Sequence, residues 1–221
     1  RAIYNKGVKE GLIDGQVYPF EKYRIKTTPT EKRAIDIKHI RKILELKLDK
    51  NRALFHYRNY FLLSYMLCGI SFVDLAFLKI ANIVDGRIRF QRKKTSKHYD
   101  IKLTDPVDKI LKLYTKGKSN TNFIFSIIKR DKLEHQYKDV EWERHRYNKG
   151  LKKIGELCGI EQRLTSYVSR HSFATQAMLQ DIPLPAISSM LGHSKLSTTQ
   201  IYLKSLPSNV LDSYQERLNN I

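Results

Sequence analysis

The chain has 221 residues, and its 41 Lys and Arg residues against 22 Asp and Glu residues give a formal net charge of +19. A charge excess of this size opposes compact folding unless a polyanion such as nucleic acid offsets it. At the same time, 41% hydrophobic residues are too many for a disordered basic tail. The composition therefore indicates a folded basic protein and favours nucleic acid as its partner.

Other classes are excluded by the apolar pattern and the cysteines. The longest apolar run, residues 60–68, is well short of the roughly 18 to 20 residues that a membrane span needs, so we expect no membrane partner. Cys68 and Cys158 stand far apart without a CxxC motif, so we predict neither a disulfide framework nor a metal site. Arg1 is neither an initiator methionine nor the start of a signal region, and we expect the natural protein to continue upstream.

Along the chain, residues 1–24 resemble the end of a helix that runs out through glycines and Pro19. A basic stretch containing Pro29 then indicates a linker. We therefore predict two parts, a remnant of a preceding domain over residues 1–24 and the main domain over residues 25–221. Apolar residues at helical spacing predict helices over about 36–48, 54–67 and 72–79.

The pattern changes to strands between Ile83 and Leu103. Apolar and basic residues alternate there around a turn at Asp85-Gly86, and a highly basic loop covers residues 92–97. Helical spacing resumes after Pro106 and predicts helices over about 107–114, 140–158, 166–180, 184–191 and 196–203, followed by an amphipathic tail. The predicted fold class is mainly α (α+β), with one small antiparallel β-sheet.

Three motifs follow one another in the last third of the chain. They are Arg170-His171-Ser172-Phe173-Ala174-Thr175, Leu191-Gly192-His193, and Tyr202 nine positions after that histidine (202 − 193 = 9). With Cys68-Gly69, Asp74-Leu75 and Lys94-Thr95 in order upstream, the set resembles the catalytic domain of the tyrosine recombinases, the phage integrase family. The resemblance covers nearly the whole chain from about residue 25.

The resemblance implies a helical DNA breaking and rejoining core that needs no cofactor, metal or ATP. It implies double-stranded DNA carrying a recombination core site as the partner, with residues 1–24 as the end of a core-site-binding domain. It also implies a bacterial cytoplasmic, nucleoid-associated enzyme of a mobile element or chromosome. Such an enzyme would act as a DNA-bound tetramer through exchange of the C-terminal tail, although a terminal helix by default folds back on its own domain.

Four residues receive catalytic roles from the resemblance. Tyr202 would attack the scissile phosphorus and form a covalent 3′-phosphotyrosyl link. Arg170 would hold two non-bridging oxygens as negative charge builds on the phosphate. Lys94 would protonate the leaving 5′-oxygen, and His193 would hydrogen-bond the phosphate or help manage the tyrosine proton.

Two positions depart from the family pattern. Ser71 stands where the family has its first catalytic arginine, and Tyr167 stands where it has the first histidine of His-x-x-Arg. Ser71 and Asp74 also form a capping box, which gives both a structural interpretation. Tyr167 is equally compatible with core packing and with support of the site, and His171 is expected to support the loop of Arg170.

We hypothesise that a cation from the predicted strands and basic loop between Ile83 and Leu103, here called the hairpin, replaces the missing arginine. The candidates are Arg87, Arg89, Arg92 and Lys93, and with Lys97 they are also predicted contacts to the DNA backbone. Three alternatives remain open. The chain could be a catalytically impaired DNA-binding module of the same fold, a type IB topoisomerase that relaxes supercoils as a monomer, or a basic RNA-binding protein.

Overall fold

The structure is a computed structural model that describes residues 1–16, 18–21, 34–50, 52–203 and 208–219, without the side chains of residues 202, 203, 208–211, 213 and 214. The chain divides into two compact units, Arg1–Lys32 and Arg33–Ile221. The predicted boundary near residue 24 and the predicted linker lie outside the described residues. The assignment of residues 1–24 and 25–221 to two domains therefore stays a prediction.

The smaller unit contains α1 (Ala2–Lys9), which accounts for the helical pattern at the start of the chain. Tyr4, Tyr18 and Phe20 meet edge to face, with ring centroids 5.7 to 5.8 Å apart. Edge-to-face contact suits aromatic rings because the positive edge of one meets the negative face of another. These three rings give the short helix the packing that it lacks by itself.

The larger unit is mostly helical. Its helices are α2 (Ile37–Glu45), α3 (Ala53–Met66), α4 (Phe72–Ala76), α5 (Asp105–Thr115), α6 (Leu133–Leu157), α7 (Val168–Leu179), α8 (Leu184–Leu191), α9 (Leu196–Leu203) and α10 (Ser208–Asn219). The strands β1 (Ile83–Val84), β2 (Arg87–Gln91) and β3 (His98–Lys102) follow a 3₁₀ turn at Ile80–Asn82. None of the described helices is long and apolar enough to cross a membrane.

Helix α3 lies at the centre of the main core. Its Phe61, Leu62 and Leu63 are almost fully buried, and it packs against α2, α5, α6 and α7. A helix that is apolar on all sides must be covered on all sides, which explains this central place. A second, smaller core joins α7 to α8 and consists of Ala174, Ala177, Met178, Ile187 and Leu191.

The sheet is antiparallel in the order β1-β2-β3. Asp85 and Gly86 both have positive φ, 51° and 68°, as the two-residue turns that match strand twist require. In the pairing of β2 with β3, Phe90 lies opposite Tyr99. Beyond these strands the basic loop of residues 92–97 is tied by its own backbone, because the N–H of Arg92 donates to the carbonyl of Lys97 at 2.9 Å.

The predicted fold class is confirmed, since the chain is mainly helical with one small antiparallel sheet. Three element bounds were wrong. Helix α2 ends at Glu45 and not near residue 48, because Leu46 has a non-helical ψ of 117°. Helix α6 begins at Leu133, well before the predicted start near Val140, because its first two turns are polar and show no apolar period. An exposed ion pair between Glu134 and Lys138, 3.4 Å apart, accompanies these turns. Helix α4 ends at Ala76 and not near Lys79, because Lys79 instead bridges to Phe123.

Candidate active site

A cavity of about 380 Å³ lies where α4, the β2–β3 loop, α6 and the start of α7 meet. Its described lining contains five cationic side chains and one carboxylate: Arg92, Lys93, Lys94, Arg144, Arg170 and Asp74. Positive groups that line a concave surface concentrate their field within it. The cavity is therefore suited to an anion such as a phosphate group.

Arg170 is the most enclosed of these cations. It stands in the first turn of α7 and is only 2% exposed. Its Nη1 donates to the carbonyl of Gly69 at 2.7 Å, and its Nη2 donates to the carbonyl of Leu191 at 2.5 Å. Gly69 has a φ of 71°, and a Cβ there would lie 2.9 Å from Cγ of Arg170, so both its backbone conformation and the close packing require glycine.

His193 contacts Arg170 from the turn after α8. Nε2 of His193 lies 2.9 Å from Nη2 of Arg170. A guanidinium can only donate, so Nε2 accepts, and Nδ1 carries the proton and donates to Oγ1 of Thr199 at 2.8 Å. Burial lowers the pKa of His193 to about 4, with further contributions from the charges of Arg170, Arg92 and Lys97. The imidazole is therefore neutral at neutral pH.

Asp74 joins α4 to the hairpin. Ser71 is the N-cap of α4, and its hydroxyl donates to Oδ2 of Asp74 at 2.7 Å while accepting from the backbone N–H of Asp74. Oδ1 of Asp74 accepts from the backbone N–H of Lys93 at 2.8 Å. Nε of Arg92 lies 3.5 Å from Oδ2, and both of these side chains are largely buried. Ser71 thus caps α4, which is one half of the predicted capping box. The other half differs, because the Asp74 carboxylate binds the hydroxyl of Ser71 and anchors the basic loop.

Arg92 reaches across to the turn that carries His193. Its Nη1 donates to the carbonyl of Gly192 at 3.3 Å. The guanidinium of Arg92 is therefore fixed at both ends, by Asp74 and by Gly192, at the edge of the cavity. Within the described part of the chain, no group of three or more His, Cys, Asp and Glu side chains is placed to hold a metal ion.

Comparison with known proteins places these observations in a family. The sequence model of the Phage integrase family matches residues 34–209, which is most of the chain. The chain belongs to the phage integrase family. The resemblance to tyrosine recombinases drawn from the motifs is therefore confirmed.

The chain is also similar in sequence to a tyrosine recombinase of Pseudothermotoga lettingae. It is 25% identical over 184 residues, which cover 81% of this chain and 58% of that protein. The chain therefore spans less than two thirds of the length of this relative.

Solved structures of integrase-family proteins share the fold. The crystal structure of XerA recombinase has a TM-score of 0.62 at 17% identity and covers 100% of this chain and 75% of that one. The Tn1549 transposon integrase, in complex with transposon right end DNA, has a TM-score of 0.63 at 14% identity and covers 98% of this chain and 76% of that one.

The structure brings together most residues that the integrase motifs single out. The cavity is lined by Ser71, Asp74, Arg92, Lys93, Lys94, Tyr167 and Arg170, and His193 contacts Arg170. Lys94 is exposed at the cavity and forms no hydrogen bond or ion pair with any residue that the structure describes. Tyr202 lies in α9, three residues after Thr199, and its side chain is outside the described part of the chain.

Tyr167 and His171 form a pair at the start of α7. Tyr167 is 45% exposed and lines the cavity, whereas His171 does not. Their rings meet edge to face with centroids 4.7 Å apart. His171 therefore packs against Tyr167 without lining the cavity, and its expected support of the Arg170 loop stays a prediction.

The other hairpin cations do not line the cavity. Nε of Arg87 lies 2.5 Å from Oδ1 of Asp100, and Nε of Arg89 lies 3.4 Å from Oδ2 of the same carboxylate. Lys97 is also absent from the lining, although its charge contributes to the lowered pKa of His193. Arg92 is therefore the candidate that both lines the cavity and reaches the turn of His193, while DNA contacts by Arg87, Arg89 and Lys97 stay predictions.

Sequence reasoning missed three residues of this site. Arg144 on α6 lines the cavity and forms no hydrogen bond or ion pair within the described residues. Thr199 is fully buried against His193, and the hydroxyl of Tyr99 on β3 lies against Gly192, next to the Leu191 carbonyl that binds Arg170. Arg144 lies in an ordinary charged helix and Thr199 in a run of polar residues, so neither has a sequence signal. Tyr99 was assigned only to a strand.

Proposed function

We propose that the chain is the catalytic domain of a site-specific DNA recombinase or integrase. It cleaves and rejoins double-stranded DNA through a covalent 3′-phosphotyrosyl intermediate on Tyr202. The proposal extends the family membership and the basic charge of +19 to a reaction. The complex of the Tn1549 integrase with transposon DNA supports double-stranded DNA as the partner.

The observation that carries the proposal is the way Arg170 is held. Two carbonyl oxygens and a neutral imidazole surround its guanidinium, and among the described residues no carboxylate pairs with it. Its positive charge is therefore not neutralised by the protein and is available to a phosphate. A preorganised cation of this kind lowers the energy of a pentavalent phosphate without reorganisation during the reaction.

Arg92 is our candidate for the second cation of the phosphate clamp. The family position of the first arginine holds Ser71, which caps α4 and cannot supply positive charge. Arg92 enters the same cavity from the β2–β3 loop, and Asp74 fixes its direction. The geometry supports the idea that Arg92 of the β2–β3 loop replaces the arginine that the family has at the position of Ser71, at the start of α4.

The remaining residues take the proton-transfer steps. The hydroxyl oxygen of Tyr202 forms a bond to phosphorus, the bond from phosphorus to the 5′-oxygen breaks, and Lys94 gives its proton to that oxygen. His193 is neutral, so it can accept the proton of Tyr202 once Nε2 is released from Arg170. Attack of a 5′-hydroxyl on the phosphotyrosine reverses each step, so neither ATP, a metal nor a cofactor is needed.

The assembly is proposed to be a tetramer on DNA, linked by exchange of the C-terminal tail. In the single chain, Nη1 of Arg217 in α10 donates to Oδ2 of Asp181 at 2.7 Å. Both side chains are exposed, so this contact can exchange readily between subunits. Residues 1–24 as the end of a core-site-binding domain, and a bacterial nucleoid-associated location, belong to the same proposal.

The decisive experiment uses the full-length protein and a nicked suicide DNA that carries its core site. The short fragment released by cleavage diffuses away, and the covalent complex accumulates and is seen as a shifted band on a denaturing gel. We expect this band with the wild type and its complete loss in Tyr202→Phe. Tyr114→Phe, which removes a hydroxyl in the main core away from the cavity, serves as the matched control and should retain the band.

Other outcomes separate the alternatives. Sequence-specific binding without any covalent band would favour an impaired DNA-binding module and make Ser71→Arg the next variant. Relaxation of a supercoiled plasmid by a monomer, without strand exchange, would identify topoisomerase behaviour. A preference for RNA over double-stranded DNA would contradict the proposal altogether.

A further inference from the structure

Tyr99 is a buried tyrosine near the loop end of the β2–β3 hairpin. It is 9% exposed, lies opposite Phe90 in the pairing of β2 with β3, and stacks on that ring with centroids 4.9 Å apart and an interplanar angle of 14°. Its ring therefore moves with the sheet. The loop that follows β2 carries Arg92 and Lys94, so the same element positions Tyr99 and the proposed acid.

The hydroxyl of Tyr99 points at the turn formed by Leu191, Gly192 and His193. A Cβ on Gly192 would lie 1.8 Å from this hydroxyl oxygen, so the glycine backbone must lie directly against it. Gly192 also has a φ of 64°, where glycine is favoured, and its carbonyl accepts from Arg92. The hairpin thus holds this turn at two points, through Tyr99 and through Arg92.

Leu191 in this turn supplies a carbonyl to Arg170, and His193 supplies an imidazole nitrogen. Tyr99 therefore lies against the segment that holds the buried cation. Burial raises the pKa of Tyr99, while the guanidinium groups of Arg92 and Arg170 act in the opposite direction. Phenylalanine would fill the same space, so a buried hydroxyl at this position is costly unless it makes a polar contact there.

We propose that Tyr99 is a positioning residue that fixes the guanidinium of Arg170 and the Leu191–His193 turn relative to the hairpin carrying Lys94. The inference rests on the proposed function, because it assigns Tyr99 a part in the same cleavage step. Through this contact, movement of the hairpin on DNA changes the position of the phosphate clamp. Tyr99 itself does not touch the reacting atoms.

The test compares Tyr99→Phe with Tyr114→Phe. Tyr114 lies in the main core, where its hydroxyl contacts Asn59 and His56, so its variant controls for loss of a buried hydroxyl away from the site. Each protein is given the nicked DNA with either a normal scissile phosphate or a neutral methylphosphonate. We expect Tyr99→Phe to cleave the phosphate about tenfold more slowly than wild type. This is the lower end of the roughly 10- to 100-fold loss known for residues that orient a metal ligand, which act on their site in a comparable way.

The methylphosphonate separates positioning from stability. It carries no charge for Arg170 to neutralise, so the loss in Tyr99→Phe should shrink to within about twofold of wild type on that substrate. Tyr114→Phe should be affected equally on both substrates. Equal losses for Tyr99→Phe on the two substrates would overturn the proposal.

A second readout does not depend on cleavage. The pKa of His193 in the free protein is measured by NMR titration. If Tyr99 holds Arg170 beside His193, this pKa rises toward its ordinary value in Tyr99→Phe and not in Tyr114→Phe. An unchanged titration would also overturn the proposal for Tyr99, whether or not the wild type forms a covalent complex. Absence of the covalent complex in the wild type would instead refute the proposed function.

Discussion

The two arginines at the cavity are held in different ways. Arg170 is held by carbonyl oxygens, whereas Arg92 lies 3.5 Å from the carboxylate of Asp74. A carbonyl orients a guanidinium without cancelling its charge, but a carboxylate cancels part of it. Arg170 is therefore expected to supply the larger share of phosphate stabilisation, and Arg92 the smaller share with a more sharply defined direction.

Replacement of Arg92 by alanine tests whether Arg92 is the second cation of the phosphate clamp. We expect the rate of covalent-complex formation to fall about 100-fold, the lower end of the range for loss of one donor to a developing oxyanion, because Asp74 already neutralises part of this charge. Arg92→Lys should recover only part of the rate, since a single ammonium cannot span Asp74 and Gly192. The measurement is a single-turnover cleavage time course on the nicked DNA.

Arg89→Ala is the matched control for Arg92→Ala. Arg89 lies on the same hairpin but pairs with Asp100 and does not line the cavity. A DNA-backbone contact by Arg89 would act on affinity, so at saturating protein its loss should change the single-turnover cleavage rate by no more than about twofold. If Arg92→Ala cleaves DNA as fast as Arg89→Ala, the proposal that Arg92 takes the place of the missing first arginine is refuted.

The neutral state of His193 predicts how stability depends on pH. Its pKa is about 4 in the folded protein against 6.5 as the reference value, so the unfolded chain binds more protons between these values. Stability contributed by the neutral ring is complete above about pH 6.5 and is lost as the pH falls toward 4. We expect His193→Gln to weaken this acid destabilisation in urea unfolding curves at pH 7, 5.5 and 4.5.

His145→Gln, on the exposed face of α6, is the control for His193→Gln. Burial also lowers the pKa of His56, so part of the acid sensitivity should remain in both variants. The pH dependence of His145→Gln should match that of the wild type. A His193→Gln profile that matched it as well would contradict the buried, neutral histidine.

At the level of elements, short connections between helices and the hairpin build the site. Helix α4 has five residues and no long packing face, yet Asp74, which accepts from the Ser71 hydroxyl, binds the loop of the hairpin through the N–H of Lys93. The turn after α8 is likewise held by Arg92. The cavity is thus defined by the ends of elements, where backbone carbonyls and N–H groups are free to bind side chains.

The tail helix α10 offers a test at this scale. Its described contact with the rest of the unit is the exposed pair of Arg217 and Asp181, which contributes about 0 to 1 kcal/mol. We expect a protein ending at Pro207 to lose the tetramer on DNA, as measured by gel filtration with light scattering, while DNA binding by single subunits remains. Arg217→Ala in the complete chain should weaken the tetramer less, and an unchanged tetramer in the truncated protein would rule the tail out.

At the level of the whole molecule, charge and cavity act together. The chain has 41 basic and 22 acidic residues. The basic residues are spread over the chain, and five of them line one cavity. The dispersed charges attract the DNA backbone without selecting a sequence, whereas the cavity positions one phosphate. Affinity and cleavage should therefore respond differently to salt.

Salt dependence gives the corresponding prediction. With some six to ten phosphate contacts, DNA affinity should fall roughly 10³- to 10⁵-fold between 50 and 200 mM salt. The cleavage rate of DNA already bound should change far less, because the cavity is partly enclosed and poorly screened. Fluorescence anisotropy measures the first quantity and single-turnover cleavage at saturating protein measures the second; a parallel decline of both would contradict this separation.

Local sequence patterns were enough to predict most of the helices, the turn between β1 and β2, the fold class and the ordered family motifs. Each of these depends on residues close together in the chain, such as the apolar spacing of α2, the Asp85-Gly86 turn or the capping pair of Ser71 and Asp74. The polar start of α6 was missed because local periodicity is absent there.

Which hairpin cation reaches the cavity, and how the phosphate clamp is held, depends on contacts between segments that are far apart in the chain. Arg92 and Gly192 are 100 positions apart, and Arg170 and Gly69 are 101 apart, so no local pattern records either contact. Arg144, Thr199 and Tyr99 likewise have ordinary residue types for their helices and strand. Packing of the elements brings these side chains together, and the chemistry of the site depends on distances that chain order does not encode.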